Sequence, residues 1–327
     1  MKQIKDNSRN NYLVEVKNLR KSFPVKNGLF EKKVTLNAVN NISFFIKANE
    51  TLGLVGESGC GKSTTGRLLL HLLKPTAGQI LFKNQDINKM SERQIKEKRS
   101  EMQFIFQDPY ASLDPRHTIL SSVGEPLEIF KMVKNRTEKK DRVAELLQNV
   151  GINADAMYKY PFEFSGGQRQ RICIARALAL EPDFIVADEP VSALDVSIQA
   201  QVINLLSDMK EKYNLTYLFI SHDLSVVEYI CDRIIVMYLG KIVEIADKRD
   251  MFSNPKHPYT IALQNAVPTI GKERKIIVKG EVPSPMNPPS GCIFHPRCPK
   301  AMKICSETEP ELKDIGGNCS VACFLYR

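Results

Sequence analysis

The chain has 327 residues, 43% hydrophobic and 25% charged, enough to bury a full core and suited to one large domain with an appendage, or to two domains. No apolar run approaches the roughly 20 residues of a membrane helix; the longest candidates, around Leu68 to Leu73 and Phe184 to Ala187, are far too short, so any spanning must be done by other chains. The net charge of +9 suits nucleic acid or an anionic membrane surface, but the basic residues are scattered and leave no nucleic-acid footprint, so a lysine-rich solvated surface explains them as well.

Residues 1–11 are polar and lysine-bearing with no apolar segment behind them, so no secretory signal is expected and folding in the cytosol is. Up to about residue 90 the chain carries strand-like segments and a glycine-rich loop. From 91 to about 163 it is charged and helix-favouring, as in Ser91 to Met102 and Thr137 to Val150. Residues 164 to 250 return to alternating helix and buried strand. Prolines then become frequent from Pro255 to Pro289, predicting a linker and a small irregular tail.

The strongest local signal runs from Gly56 through Glu57, Ser58, Gly59, Cys60, Gly61, Lys62 and Ser63 to Thr64. It fits the G-x-x-x-x-G-K-[ST] phosphate loop, with a predicted buried strand before it (Thr51 to Val55) and a leucine-rich helix after it (Thr64 to Leu73). The glycines let backbone N–H groups turn inward around phosphates, and the helix N-terminus adds partial positive charge. Lys62 is expected at the β- and γ-phosphates of ATP, and the Ser63 hydroxyl on Mg²⁺. A glycine-rich turn that binds nothing is the competing reading, and the strand–loop–helix context disfavours it.

Asp183-Phe-Ile-Val-Ala-Asp-Glu189 is an apolar run ending in two acids. Four buried residues before a carboxylate suit a central parallel strand, whose carboxyl end is where such sheets bind ligands. Asp188 is expected to position Mg²⁺ through water, and Glu189 to polarise the attacking water as general base. A helix cap after a strand would explain one acid and leave the second without a task.

Phe164-Ser-Gly-Gly-Gln-Arg-Gln-Arg171 precedes a predicted helix over Ile172 to Leu180. Ser165 is a good N-cap residue, and Gly166 and Gly167 leave amides bare at the positive end of that helix. With Gln168, this stretch resembles the signature loop of ABC ATPases, Phe164 standing where many members have Leu. The other elements of that family occur in order. Gln107 resembles the Q-loop, which senses Mg²⁺ and the attacking water and couples to the membrane partner. Ser192-Ala-Leu-Asp195 resembles the D-loop, and His222, after the strand-like Thr216 to Ser221, resembles the switch histidine. Phe23 lies where the family places an aromatic on adenine, although Phe30 is near and an early-strand aromatic is more often core.

The resemblance implies an α/β P-loop NTPase (RecA-like) core with an antiparallel β subdomain, an α-helical subdomain at about 91–163, and a small irregular cysteine-rich extension. It places the nucleotide-binding domain at 1–255 and the extension at 256–327. It further implies head-to-tail pairing of two such chains, each ATP held between one chain's Lys62 loop and the other's Ser165 loop.

Five of the eight cysteines lie in the last 36 residues, at Cys292, Cys298, Cys305, Cys319 and Cys323. Cys173 and Cys231 suit small core residues. A cytosolic chain seldom uses disulfides, so the tail cluster suggests a metal or redox centre, although neither zinc-ribbon nor ferredoxin spacing is present. Asn254-Pro-Lys-His-Pro-Tyr-Thr260 and Gly291-Cys-Ile-Phe-His-Pro-Arg-Cys-Pro299 resemble the C-terminal extension of oligopeptide and dipeptide importer ATPases, and Gln107 to Pro115 resembles the F-type member of their two unlike ATPases. In that subfamily the matching Cys292, Cys298, Cys305 and Cys323 can hold a [4Fe-4S] cluster of structural role. Cys319 could substitute for Cys323, and zinc or plain thiols remain open.

The expected assembly is therefore a peptide importer. This chain would lie on the cytosolic face of the membrane beside a second, unlike ATPase, two permease chains and an extracytoplasmic binding protein. The same motor for nickel or another solute is the nearer alternative, and a soluble ABC protein acting on ribosomes or DNA the more distant one. The latter usually carry two ATPase units or long coiled coils, and neither is evident here. A silent regulatory partner is disfavoured by intact Lys62, Asp188, Glu189 and His222.

Overall fold

Strands whose residues are apolar on both faces must be covered on both sides, and this sequence supplies several. The computed structural model describes residues 12–25, 34–266 and 280–326, so Phe30 and the N-terminal eleven residues lie outside it. In chain order come β1 (Tyr12–Val25), β2 (Val34–Lys47), β3 (Thr51–Val55), α1 (Lys62–Leu69), β4 (Ala77–Phe82), β5 (Gln85–Asp86), α2 (Glu92–Lys98) and β6 (Met102–Ile105). Then follow α3 (Pro109–Ser112), α4 (Ile119–Ile129), α5 (Arg136–Asn149), α6 (Gly166–Leu178), β7 (Phe184–Asp188), α7 (Val196–Tyr213), β8 (Thr216–Ser221), α8 (Leu224–Ile230) and β9 (Arg233–Tyr238). The chain continues through β10 (Lys241–Asp247), α9 (Lys248–Ser253), α10 (Pro258–Ala266), α11 (Lys303–Glu307), β11 (Lys313–Asp314) and β12 (Ser320–Val321).

Two sheets organise these elements. An antiparallel sheet has the order β2-β1-β4-β5, and a larger one runs β11-β12-β10-β9-β3-β8-β7-β6. From β9 to β6 the larger sheet is parallel. Its strands obey the two-residue period of side-chain direction. Phe184 and Val186 of β7, Leu218 and Ile220 of β8, and Ile235 and Met237 of β9 join Val14, Ile42 and Phe82 of the antiparallel sheet. Ile185 and Ala187, Tyr217 and Phe219, and Ile234 and Val236 point the other way, into the core formed with the helices.

The charged stretch from 91 to about 163 is not helical throughout. Met102-Gln-Phe-Ile105 forms β6, the edge of the larger sheet, paired in parallel with Phe184–Ala187; four mostly apolar residues between charged segments suit a short strand better than a helix face. The phosphate-loop helix begins at Lys62 rather than Thr64, and the signature helix at Gly166 rather than Ile172. Ser165 and Gln168 form a reciprocal capping box, which fixes the earlier start. The tail is less irregular than its prolines suggest. Pro258 opens α10, and Ser320–Val321 extends the larger sheet by pairing antiparallel with Glu244 and Ile245. Among the described residues no helix is long and apolar enough to cross a membrane.

Candidate nucleotide-binding site

Register sets the site. Val55 lies level with Ser221, Asp188 with Ile220, and Ile105 with Ala187. Four adjacent parallel strands, β3, β8, β7 and β6, therefore end at one rim. The residues that follow β3, β8 and β7 are Gly56, His222 and Glu189, and Gln107 is the second residue after β6. The carboxyl rim of a parallel sheet is where such folds gather chemistry contributed by distant parts of the chain.

The glycine-rich loop leaves β3 under tight constraint. Gly61 has φ +106, and a Cβ there would lie 2.1 Å from the Ala38 carbonyl oxygen of β2. Ser58 and Gly59 form the exposed tip, Ser63 and Thr64 are half-buried, and Cys60 is buried. Burial pushes the Cys60 thiol up, so it serves as a neutral wall. Lys62 is 5% exposed and its Nζ donates to the carbonyls of Gly56 at 2.7 Å and Glu57 at 3.0 Å. The ammonium thus crosses its own loop, in front of the space the loop encloses.

The acids stand opposite. Ser63 Oγ donates to Asp188 Oδ1 at 2.9 Å, joining the loop to β7. Asp188 is buried, which raises its carboxyl pKa, while the Ser63 hydrogen bond works against that rise. Glu189 adopts φ +47, a left-handed conformation that costs a non-glycine residue about 1–3 kcal/mol. Its N–H donates to Ile220 O on β8, which holds the turn. Glu189 Oε2 accepts from Gln107 Nε2 at 3.0 Å and lies 3.2 Å from His222 Nδ1.

The signature residues occupy a separate place. Ser165 and Gln168 are exposed at the start of α6, and a Cβ on Gly167 would lie 2.4 Å from Ile198 Cγ2 of α7. Asp195, also exposed, begins α7 without a side-chain cap. Among the described residues no hydrogen bond or ion pair joins residues 165–168 or Asp195 to residues 56–64. Phe23 is half-buried in β1 opposite Leu36, with Lys21 Nζ 5.0 Å from its ring centroid.

Two residues that sequence reasoning missed reach the loop from the tail. The Tyr259 hydroxyl accepts from Glu57 N–H at 2.9 Å, and Arg297 forks onto the Glu57 carboxylate. Separations of 202 and 240 residues left no spacing signal for either.

All eight cysteines are free, and Cys173 and Cys231 are core residues. In the tail Cys292 N–H donates to Cys305 O at 2.7 Å. Burial, followed by the nearby thiols of Cys305, Cys323 and Cys298, pushes Cys292 up to about 11. Burial also raises Cys298 and Cys323, each of which feels Cys305. Cys319 is pushed up to about 11 by burial and then by Glu244. Among the described residues, no three His, Cys, Asp or Glu side chains close into a metal-holding group. The expected cluster ligands influence one another's titration but do not converge into a metal cage.

A family model described as ABC transporter matches residues 39–192, and one described as oligopeptide/dipeptide transporter, C-terminal region, matches residues 243–305. The chain is 54% identical over 321 residues to the oligopeptide transport ATP-binding protein AppF of Bacillus subtilis (strain 168), covering 96% of this chain and 97% of that one. It is 46% identical over 325 residues to the dipeptide transport ATP-binding protein DppF of Haemophilus influenzae, covering 98% of each. A solved ATP-binding cassette, a dimer in a post-hydrolysis state bound to ADP and Pi, matches with a TM-score of 0.64 and 31% identity, over 72% of this chain and 99% of that chain.

Proposed function

The chain belongs to the ABC transporter ATP-binding family, and from that premise we propose that it is the hydrolytic motor for uptake of di- and oligopeptides. One observation carries the cargo reading. Similarity to peptide and oligopeptide transport ATPases runs through the cassette and on into the extension, at 54% identity for AppF.

The rim residues take the roles their chemistry suits. Lys62 exchanges the carbonyls of Gly56 and Glu57 for the β- and γ-phosphates of ATP. The Ser63 hydroxyl and Asp188 carboxylate meet at 2.9 Å, a hard-oxygen pair that would hold Mg²⁺ with its waters, where its charge would offset that of the phosphates. Glu189 takes a proton from the attacking water, Gln107 orients that carboxylate, and His222 faces the γ-phosphate. Ser165, Gly166, Gly167 and Gln168 present the bare end of α6 to the ATP of a facing subunit, with Asp195 at the same dimer face. Phe23 flanks the adenine.

An apolar groove supports a membrane partner. Leu72, Phe104, Phe106, Ile129, Phe130 and Leu180 line it, and Phe106, next to Gln107, is 44% exposed. A permease segment seated there would touch the chain one residue from the Gln107–Glu189 contact. The proposed assembly contains two permeases, a second, unlike ATPase and an extracytoplasmic binding protein, with this chain peripheral on the cytoplasmic face.

Cys292, Cys298, Cys305 and Cys323 are the soft thiol donors of the proposed [4Fe-4S] cluster, which would brace the extension once they drew together from the unconverged arrangement described above. Cys319, whose N–H and carbonyl are both used in the turn between β11 and β12, is the alternative to Cys323 as fourth ligand.

Co-purification from native membranes in mild detergent, followed by peptide uptake in proteoliposomes, tests the proposal. Two permeases, an unlike ATPase and peptide-stimulated hydrolysis are expected. Recovery with ribosomes or DNA from the soluble fraction would overturn the transport assignment, and uptake of another solute alone would overturn the cargo.

A further inference from the structure

Glu57 is an unfavourable residue for its position: a carboxylate inside a loop that must accept a polyanion. Like charges repel, and partial burial of the Glu57 side chain, 28% exposed, strengthens the effect. The Glu57 charge is felt inside the loop, where it helps raise Cys60, and again at Tyr259.

The extension supplies the counter-charge. Arg297 Nη1 donates to Glu57 Oε1 at 3.1 Å and Oε2 at 2.9 Å, and Nη2 donates to Oε1 at 3.1 Å. Nη1 also donates to the Tyr238 hydroxyl at 3.3 Å. The Arg297 side chain is 11% exposed, and its Nε is buried with no partner. Burying a charged group with one nitrogen unpaired is costly, and the fork onto Glu57 offsets part of that cost.

The surroundings are explicit. Arg297 closes the His295–Arg297 turn, whose N-terminal neighbour Phe294 is fully buried. The Phe294 ring packs against Tyr238 and Tyr259, each at 5.4 Å, and His257 at 5.7 Å. Tyr259 in turn accepts the Glu57 N–H, and Lys62 holds the Glu57 carbonyl. Glu57 is therefore fixed at its side chain, its amide and its carbonyl, two of the three by residues of the extension.

We propose that Arg297 is a positioning residue for nucleotide binding, cancelling the Glu57 charge so that the phosphate loop accepts the triphosphate. It acts through Glu57 and touches no reacting atom. The extension thereby becomes part of the nucleotide site, independent of the cargo.

Nucleotide affinity of the full chain, read by titration calorimetry with ATP and ADP, tests this. Arg297→Met is expected to raise Kd about tenfold, as for loss of one partner of a bidentate charge pair, while kcat at saturating ATP changes less than about twofold. Adding Glu57→Gln to Arg297→Met is expected to restore the parental Kd, a rescue that a merely structural role for Arg297 would not give. Glu57→Gln alone should tighten binding, and this arm stands even if Arg297→Met fails to fold. Parental affinity in Arg297→Met, no rescue in the double variant, or weaker binding in Glu57→Gln would each overturn the proposal.

Discussion

Glu189 Oε2 accepts a hydrogen bond from Gln107 Nε2 at 3.0 Å, across 82 residues of sequence. The strained φ of Glu189 and its amide bond to Ile220 aim the carboxylate at that meeting point. Glu189→Gln keeps the shape and removes the base. Turnover should fall about 10²–10⁴-fold, the usual contribution of a general base, with ATP affinity unchanged. Hydrolysis at the parental rate would remove Glu189 from the mechanism.

Two loop glycines should respond differently to alanine. At Gly61 a Cβ would meet the Ala38 backbone oxygen at 2.1 Å, and backbone cannot step aside. Gly61→Ala should therefore cost about 3 kcal/mol or more and abolish ATP binding. A Cβ on Gly59 meets nothing within 4 Å, so only its φ of +78 is penalised, and Gly59→Ala should cost about 1 kcal/mol. Denaturant melts of the two variants compare them, and equal losses would contradict the steric argument.

The extension should be acid-sensitive through His257. Burial lowers this imidazole to about 3, below its ordinary 6.5. The folded state thus binds fewer protons than the unfolded state between those values, and stability falls as pH drops below about 6.5. At pH 5.5 the loss is roughly 1.4 kcal/mol, one pH unit below the unfolded value. Glu244, buried beneath the His257 amide with its carboxyl raised by that burial, has the opposite sign. The quantity to measure is therefore the difference in melting-temperature slope between the parent and His257→Asn from pH 7.5 to 5.5. The variant should melt lower overall and lose less on acidification; identical slopes would show that His257 does not set the dependence.

Iron and acid-labile sulfide should accompany the chain purified without oxygen. Cys298→Ser should remove both, while Cys319→Ser leaves both in place if Cys323 is the fourth ligand. Stoichiometric zinc in colourless protein would count against the cluster, and loss of iron in Cys319→Ser would revise the ligand set.

Much of this protein was legible in its order of residues. Local patterns depend on near neighbours, so Thr51–Val55, Phe184–Asp188 and Thr216–Ser221 could be read as buried strands, and residues 56–64, Asp188, Glu189, Gln107 and His222 could be named from their motifs. Strand register, which sequence does not print, put those loops on one rim and set Ser63 against Asp188 and Gln107 against Glu189. Tertiary packing also decided where Met102–Ile105 goes: its apolar run suits a short strand, but only pairing with β7 places that strand at the edge of the larger sheet. The grip of Arg297 on Glu57 was decided in the same way. A contact between residues 240 positions apart arises when Phe294 buries among Tyr238, Tyr259 and His257, and no local periodicity encodes which distant surface a buried ring will find.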